Sequence, residues 1–321
     1  MNDEVYIYII IAVSVAVICA LLFLVIPYIT YRMTFRRKVD DYDVYMGLDS
    51  PSFNGHSEEA RSLIDRMLGE PYELLEMKSR DGLTLKARYY HVKDGAPLQI
   101  QCHGYKSTPV RDFSGGAGEA IDRGHNLLLI YQRSHGLSEG KTIAFGALEK
   151  YDVLDWIDLM LKKLGEKTEI ILVGISMGAA TAILTAALDI PKNVKCVIAD
   201  CPYSSAKGII KKVAAEMGYP SDIVYPFIKL GAKLYGKFDI DEADAVKAIK
   251  NASLPILLIH GEADSFVPRE MSTELKRAAG DRCRFESFPE ASHGLSYIMD
   301  PVRYKKILDE FIAKHTSQEK T

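Results

Sequence analysis

The chain is poor in three things, and each shortage excludes a class of function. Its five cysteines, Cys19, Cys102, Cys196, Cys201 and Cys283, form no C-x-x-C pair and have no histidine at ligand spacing. That argues against a zinc module, a dithiol redox centre or a disulfide framework, and no metal is expected. Neither sign of charge is in excess, since 40 Lys and Arg stand against 43 Asp and Glu for a net -3. The basic residues are scattered rather than gathered in stripes, so nucleic acid is not an expected partner. There is one tryptophan, Trp156, and its apolar neighbours over Leu148 to Leu164 recur at helical spacing. A core-facing helix is expected there, not a binding site. Internal repeats and low-complexity tracts are missing too.

Charge is also missing from Val5 to Ile26, a run that as a helix covers roughly 33 Å, enough to cross a hydrocarbon core. The start, Asn2-Asp3-Glu4, lacks the positive region of a secretory signal, and no small-x-small cleavage site follows. Cys19 follows Val17-Ile18 rather than the small residue expected before a lipid-modified cysteine. Residues 1–31 therefore read as a tail and one transmembrane helix. Arg32, Arg36, Arg37 and Lys38 follow it, which places the remainder on the cytoplasmic side of a cell membrane. Residues 32–70 read as a juxtamembrane linker with turns at Asp49-Ser50-Pro51 and Asn54-Gly55, then an amphipathic helix from Ser57 to Leu68.

From 71 to 321 the pattern is that of one α/β domain, long enough to bury a core without disulfides. Tyr72 to Lys78 and Leu83 to Val92 flank the turn Arg80-Asp81-Gly82 as a hairpin would. Six apolar strands then alternate with helical stretches, at 98–102, 126–131, 170–173, 194–199, 256–259 and 284–288. Such alternation predicts a mostly parallel sheet with helices on both faces. Cys201 to Leu254 is too long for a simple crossover and reads as a small helical cap, rich in apolar residues such as Ile209, Val213 and Ile228. Asp300 to His315 reads as the last helix.

The strand Ile170 to Val173 runs into Gly174-Ile175-Ser176-Met177-Gly178 and a small-residue helix from Ala179. A G-x-S-x-G between strand and helix forces the serine into a strained turn and presents its hydroxyl at a helix N-terminus. An alkyl hydroxyl needs a base, and the base needs an acid to hold its tautomer. Both follow in the chain. Asp264 lies in His260-Gly261-Glu262-Ala263-Asp264-Ser265-Phe266-Val267-Pro268 after one apolar strand, and His293 in Glu290-Ala291-Ser292-His293-Gly294 after another. Asp200 also ends a strand and is the rival acid; the H-G-x-x-D-x-x-V-P context favours Asp264. His103 and His260 read as strand-end histidines satisfied by local backbone, and Glu262 as a solvated residue. His56, His91, His125 and His315 have no chemical context.

These motifs and their Ser, Asp, His order resemble the α/β-hydrolase superfamily from about residue 72 onward. The resemblance implies a triad of Ser176, His293 and Asp264. It implies an oxyanion hole made by the backbone N–H groups of Met177 and of Tyr105, in His103-Gly104-Tyr105 after the strand 98–102. Tyr131 to Gly140 is similar to an arginine- and glycine-rich structural loop of bacterial members. The implied activity is hydrolysis of ester-type acyl bonds through an acyl-enzyme, with no cofactor and no obligate protein partner. A carboxylesterase is the expected form. A lipase, thioesterase or peptidase uses the same triad, and a non-catalytic membrane scaffold or sensor is the reading from another class. Attack requires a neutral imidazole, so acylation should rise with pH over the range where histidine deprotonates, about 6 to 7.

Overall fold

The N-terminal apolar run is helical throughout, as its composition requires: α1 spans Asp3–Ala20, a π turn Leu21–Val25, and α2 Ile26–Thr34. The π turn ends just before Pro27, which has no N–H to donate and whose ring in an unbroken α-helix would strike the carbonyl four residues back. The helix is long and apolar enough to cross a membrane, with a mean hydropathy of 3.4 over its most apolar 18 residues and none of those residues buried. These coordinates come from a computed structural model, and residues 3–37, 43–53 and 55–317 are described; Asn2, Lys38, Asp40 and Asn54 lie outside the described residues.

The last turns of this helix differ from the rest because they are packed. Pro27 and Tyr31 are buried, and Phe35 is fully enclosed edge-on against Phe145 and Phe238. Thr30 donates to the carbonyl of Phe227 (3.2 Å), and Tyr235 donates to that of Leu24 (2.8 Å). The helix Ser221–Gly231 crosses so closely that a Cβ on Gly231 would lie 2.3 Å from the Pro27 carbonyl oxygen. Arg37 donates to the carbonyls of Gly136 and Ser138 (2.9 and 3.1 Å).

Eight strands form the sheet: β1 Glu73–Lys78, β2 Thr84–Tyr90, β3 Leu98–Cys102, β4 Asn126–Tyr131, β5 Ile170–Ile175, β6 Val194–Asp200, β7 Ile256–Gly261 and β8 Cys283–Phe288. Their order is β1-β2-β4-β3-β5-β6-β7-β8; the β1–β2 and β2–β4 pairings are antiparallel and all the others parallel. Strands β3 and β4 are buried along their whole length, as strands covered on both faces must be. The mostly parallel, doubly covered sheet expected from the alternation is what the chain forms.

One face carries α3 Ser57–Gly69, α4 Pro109–Asp122 and α12 Pro301–His315, whose Ile64, Phe113 and Phe311 share a core with Leu127 and Leu129. The other carries α5 Glu149–Leu164, α6 Met177–Ala186, α9 Ala245–Asn251 and α10 Arg269–Ala279. Trp156 is buried in that second core, and Tyr31 and Phe35 belong to it. Between β6 and β7, α7 Ala206–Glu216 and α8 Ser221–Gly231 stand over the carboxyl ends of the strands, while α9 packs beside α6 and α10. The short α11, Ser296–Met299, precedes α12.

Candidate active site

β5 ends at Ile175 and α6 begins at Met177, so Ser176 alone turns the chain. Its φ of 56° and ψ of -118° lie where non-glycine residues are rare. The close approach behind it depends on two glycines. A Cβ on Gly178 would lie 1.8 Å from the carbonyl oxygen of Cys102, and one on Gly174 would lie 2.3 Å from that of Gly178. The Ser176 N–H donates to the Asp200 carbonyl on the neighbouring strand (2.9 Å), which ties the turn to the sheet.

The structure brings the three sequence candidates together. His293 Nε2 is 2.9 Å from Ser176 Oγ, and its Nδ1 is 2.7 Å from Asp264 Oδ2. The second Asp264 oxygen accepts the N–H groups of Phe266 and Val267 (2.9 and 2.8 Å). Burial alone would push the Asp264 carboxyl up, but hydrogen bonds from His260 and His293, the charge of His293 and the Val267 N–H hold it well below the usual carboxylate range. It is therefore an anion at neutral pH and fixes the tautomer that leaves Nε2 facing the serine. Asp200, the rival, turns to the other side: its carboxylate meets Tyr304 OH (3.1 Å) and Ser296 Oγ (3.4 Å). Burial raises it to about 6.

Three neighbours of this chain of hydrogen bonds were not legible as such in the sequence. His260, read as a strand-end residue, does bond the Val267 carbonyl (2.8 Å) and Ser272 (2.7 Å), and it also lies 3.3 Å from Asp264 Oδ2. Its signal was the H-x-x-x-D spacing at the end of β7. Phe266 sets its ring edge-on to His293 at 5.0 Å between centroids. Tyr105, named for its backbone, donates its hydroxyl to the carbonyl of Thr34, the last residue of α2 (2.7 Å). Glu262 points away, to Ser287.

The loop after β3 is held from below. Gly104 N–H donates to Asp112 (2.7 Å) and Lys106 N–H to His135 Nε2 (3.0 Å), while His135 Nδ1 lies 2.9 Å from the Arg133 carbonyl. His135 thus accepts at one nitrogen and donates at the other. Burial pushes both it and His103 toward the neutral form. The loop read as structural, Tyr131 to Gly140, accordingly supports both the backbone beside Tyr105 and the chain leaving α2. Arg133, paired with Asp152 (2.6 Å) and Asp81 (2.9 Å), anchors it.

Two cavities meet at the serine, sharing Tyr105, Ser176 and Phe266. One, of about 530 Å³, lies between α2, α7 and α8. Its walls include Ile29, Met33, Ile210, Val213 and Ile228, and among the described residues Lys106 is the one charged side chain on it. Met177 and Tyr105 both line it. The other, of about 450 Å³, runs under α4 and α11 past Arg111, Asp112, Gln99, Gln101 and Asp200. Gln101 Nε2 bonds Gln99, and among the described residues its Oε1 has no partner.

Cys201, Asp264 and His293 offer ligand atoms within 4.8 Å of one another. The donor set suits a metal poorly. Asp264 and His293 are already bonded to each other, and burial pushes the Cys201 thiol far up, away from the thiolate that ligation needs.

Comparison with known proteins gives a consistent picture. A family model described as the alpha/beta hydrolase fold matches residues 101–222, from β3 through the elbow into the cap. An uncharacterised Bacillus subtilis protein, YqkD, is 26% identical over 293 residues, covering 88% of this chain and 90% of its own. The protein bem46 of Schizosaccharomyces pombe is 25% identical over 261 residues, 76% of this chain and 77% of its own. Among solved structures, an esterase of Pyrococcus furiosus superposes with a TM-score of 0.65 at 22% identity, over 78% of this chain and 93% of that one.

Proposed function

We propose that this chain, which belongs to the α/β-hydrolase superfamily, is a serine hydrolase of carboxylic esters held at a membrane by its N-terminal helix. The observation that carries the reading is the continuous line from Ser176 Oγ through His293 to Asp264, at 2.9 and 2.7 Å, opening on two cavities. In this reading Ser176 attacks the ester carbonyl as His293 Nε2 takes its proton, and Asp264 stabilises the imidazolium. The oxyanion lies on the Met177 and Tyr105 amides, the first at the N-terminus of α6. His293 then gives the proton to the departing alcohol, and water repeats the sequence to release the acid. Polarity orients the substrate: the acyl group occupies the apolar cavity and the alcohol faces the polar one.

The anchoring part of the proposal rests on α1 and on the turns that follow it. The packing of Tyr31 and Phe35, at the end of this helix, into the core supports a retained anchor over a removable leader. Arg32, Arg36 and Arg37 just after the span support a cytoplasmic side for the catalytic part. Protease access in intact cells tests this; cleavage from outside overturns the orientation.

The test of the chemistry is covalent labelling of the full-length protein by an ethyl fluorophosphonate, with the adduct mapped by mass spectrometry. Labelling at Ser176 that disappears in Ser176→Ala supports an activated serine. A folded wild-type protein that takes no label refutes it and favours the non-catalytic scaffold.

A further inference from the structure

The N-terminal helix has two faces after the π turn, and they do different things. Pro27, Tyr31 and Phe35 dock on the core and on α8. Ile26, Ile29, Thr30 and Met33, at i, i+3, i+4 and i+7, form the opposite stripe and line the apolar cavity at Ser176. Ile29 and Met33 are each about half exposed, and so are Met217, Tyr219 and Phe266 across the opening. The mouth of the cavity is therefore an apolar gap between α2 and the cap. It continues without a polar break into the bare apolar surface of residues 5–25. Met33 lies about 12 Å along the helix from Val25. A soluble pocket with a rim of this kind would expose a contiguous apolar patch to water, which soluble monomers rarely do.

From this we propose that the N-terminal helix is a wall of the acyl site as well as an anchor, and that the substrate is a long-chain ester resident in the bilayer, whose acyl chain slides along α2 to Ser176 without passing through water. The proposal rests on the serine-hydrolase reading and names its substrate class. A second contact ties the helix to the chemistry. Tyr105, whose amide is a proposed oxyanion donor, bonds the Thr34 carbonyl (2.7 Å), so displacing α2 displaces the loop beside the nucleophile. Lys106, the one charge on the described cavity wall, stands over the Tyr105 ring at 4.7 Å, close to the reacting end rather than along the path of the chain.

The experiment uses the full-length wild-type protein in phosphatidylcholine vesicles and a long-chain alkyl fluorophosphonate with a diazirine at the far end of its chain. Ser176 Oγ displaces fluoride from phosphorus, His293 takes the proton, and the alkyl chain is left tethered where an acyl chain would lie. Irradiation should place adducts on the peptide holding Ile29 and Met33. The probe should react at least tenfold faster when it shares the protein's vesicles than when it is held in separate ones. Adducts confined to residues 47–64 or to the cap, or equal rates in the two arrangements, overturn the proposal. Failure of this probe and of the ethyl probe alike to modify Ser176 removes the hydrolase reading beneath it, a result distinguishable because the ethyl probe needs no acyl site.

A matched pair of substitutions separates site from scaffold. Met33→Trp should lower the ratio of palmitate to acetate ester hydrolysis by at least tenfold, whereas Val15→Trp, on the exposed part of α1, should leave the ratio at its wild-type value. Equal ratios in both variants count against the helix as a wall.

Discussion

The two cavities at Ser176 are near-equals in size, about 530 and 450 Å³, but they are built from different material. The larger is roofed by α2, α7 and α8, elements that are not part of the sheet's own layers, and its wall is almost wholly apolar. The smaller lies between β3, α4 and α12, closed on one side by residues 47–53 and α3, and carries two glutamines and three carboxylate or guanidinium groups. Under the proposed function, the common scaffold would present the nucleophile, and segments added to it would select the acyl group. A change in the scaffold should affect every substrate equally, and a change in the added segments only some.

The largest effect should therefore be indifferent to the comparison. Ser176→Ala is expected to lower kcat on acetate and palmitate esters alike by about ten-thousand-fold or more; a loss restricted to one chain length, seen in the same assay, would break the picture of two cavities served by one serine. Next comes a change on one side only. Ile228→Trp, on α8, fills the apolar cavity and should reduce kcat/KM for long acyl chains by about 10- to 100-fold more than for acetate. Its polar counterpart, Gln101→Leu, removes a buried amide whose oxygen is unpartnered among the described residues. It is expected to alter discrimination among alcohol leaving groups several-fold, without the shift in acyl-length preference that Ile228→Trp produces.

The smallest effect concerns stability. Burial raises the Asp200 carboxyl to about 6, against about 3.9 in an unfolded chain. A raised carboxylate costs stability when ionised. That cost is full above the folded value and vanishes below the unfolded one. Asp200→Asn should thus gain little at pH 4 and up to about 3 kcal/mol by pH 8, read from denaturant midpoints across that range. Asp264 has the opposite sign. Its depressed carboxyl contributes stability at neutral pH that is lost only as pH falls through the acid range, so a difference between wild type and Asp200→Asn that shrank as pH rose from 4 to 8 would show that the sign for Asp200 is wrong.

Much of this was legible in the residues. The period of apolar runs gives strand and helix, because a parallel sheet buried on both faces needs continuous apolar strands and crossover helices. The elbow was legible because a Cβ at either flanking glycine has no room. The hydrogen-bond chain from serine to acid was legible only as candidates in order. Asp200 ends β6 and Asp264 lies in the loop just after the neighbouring β7, and what separates them is the direction in which each side chain points. The second contact of His260 was hidden in the same way, since a strand-end histidine bonded to backbone and one bonded to a carboxylate look alike in sequence. The apolar residues of α7 and α8 announced a cap, but not that Ile210 and Ile228 face a cavity while others pack.

The N-terminal helix shows the division most clearly. Its existence and its reach across a bilayer follow from sequence alone, because 22 uncharged residues satisfy their backbone groups internally and have no polar face to turn to water. Its last two turns are a different matter. The sequence reads as a span ending at Ile26 with a linker from residue 32; the helix continues to Thr34, and only packing decides that one stripe of its end sits on the core while the other lines the space beside Ser176. The physical reason is that hydrophobicity is non-directional. It determines that these side chains must leave water, and the shape of what they meet determines where they go.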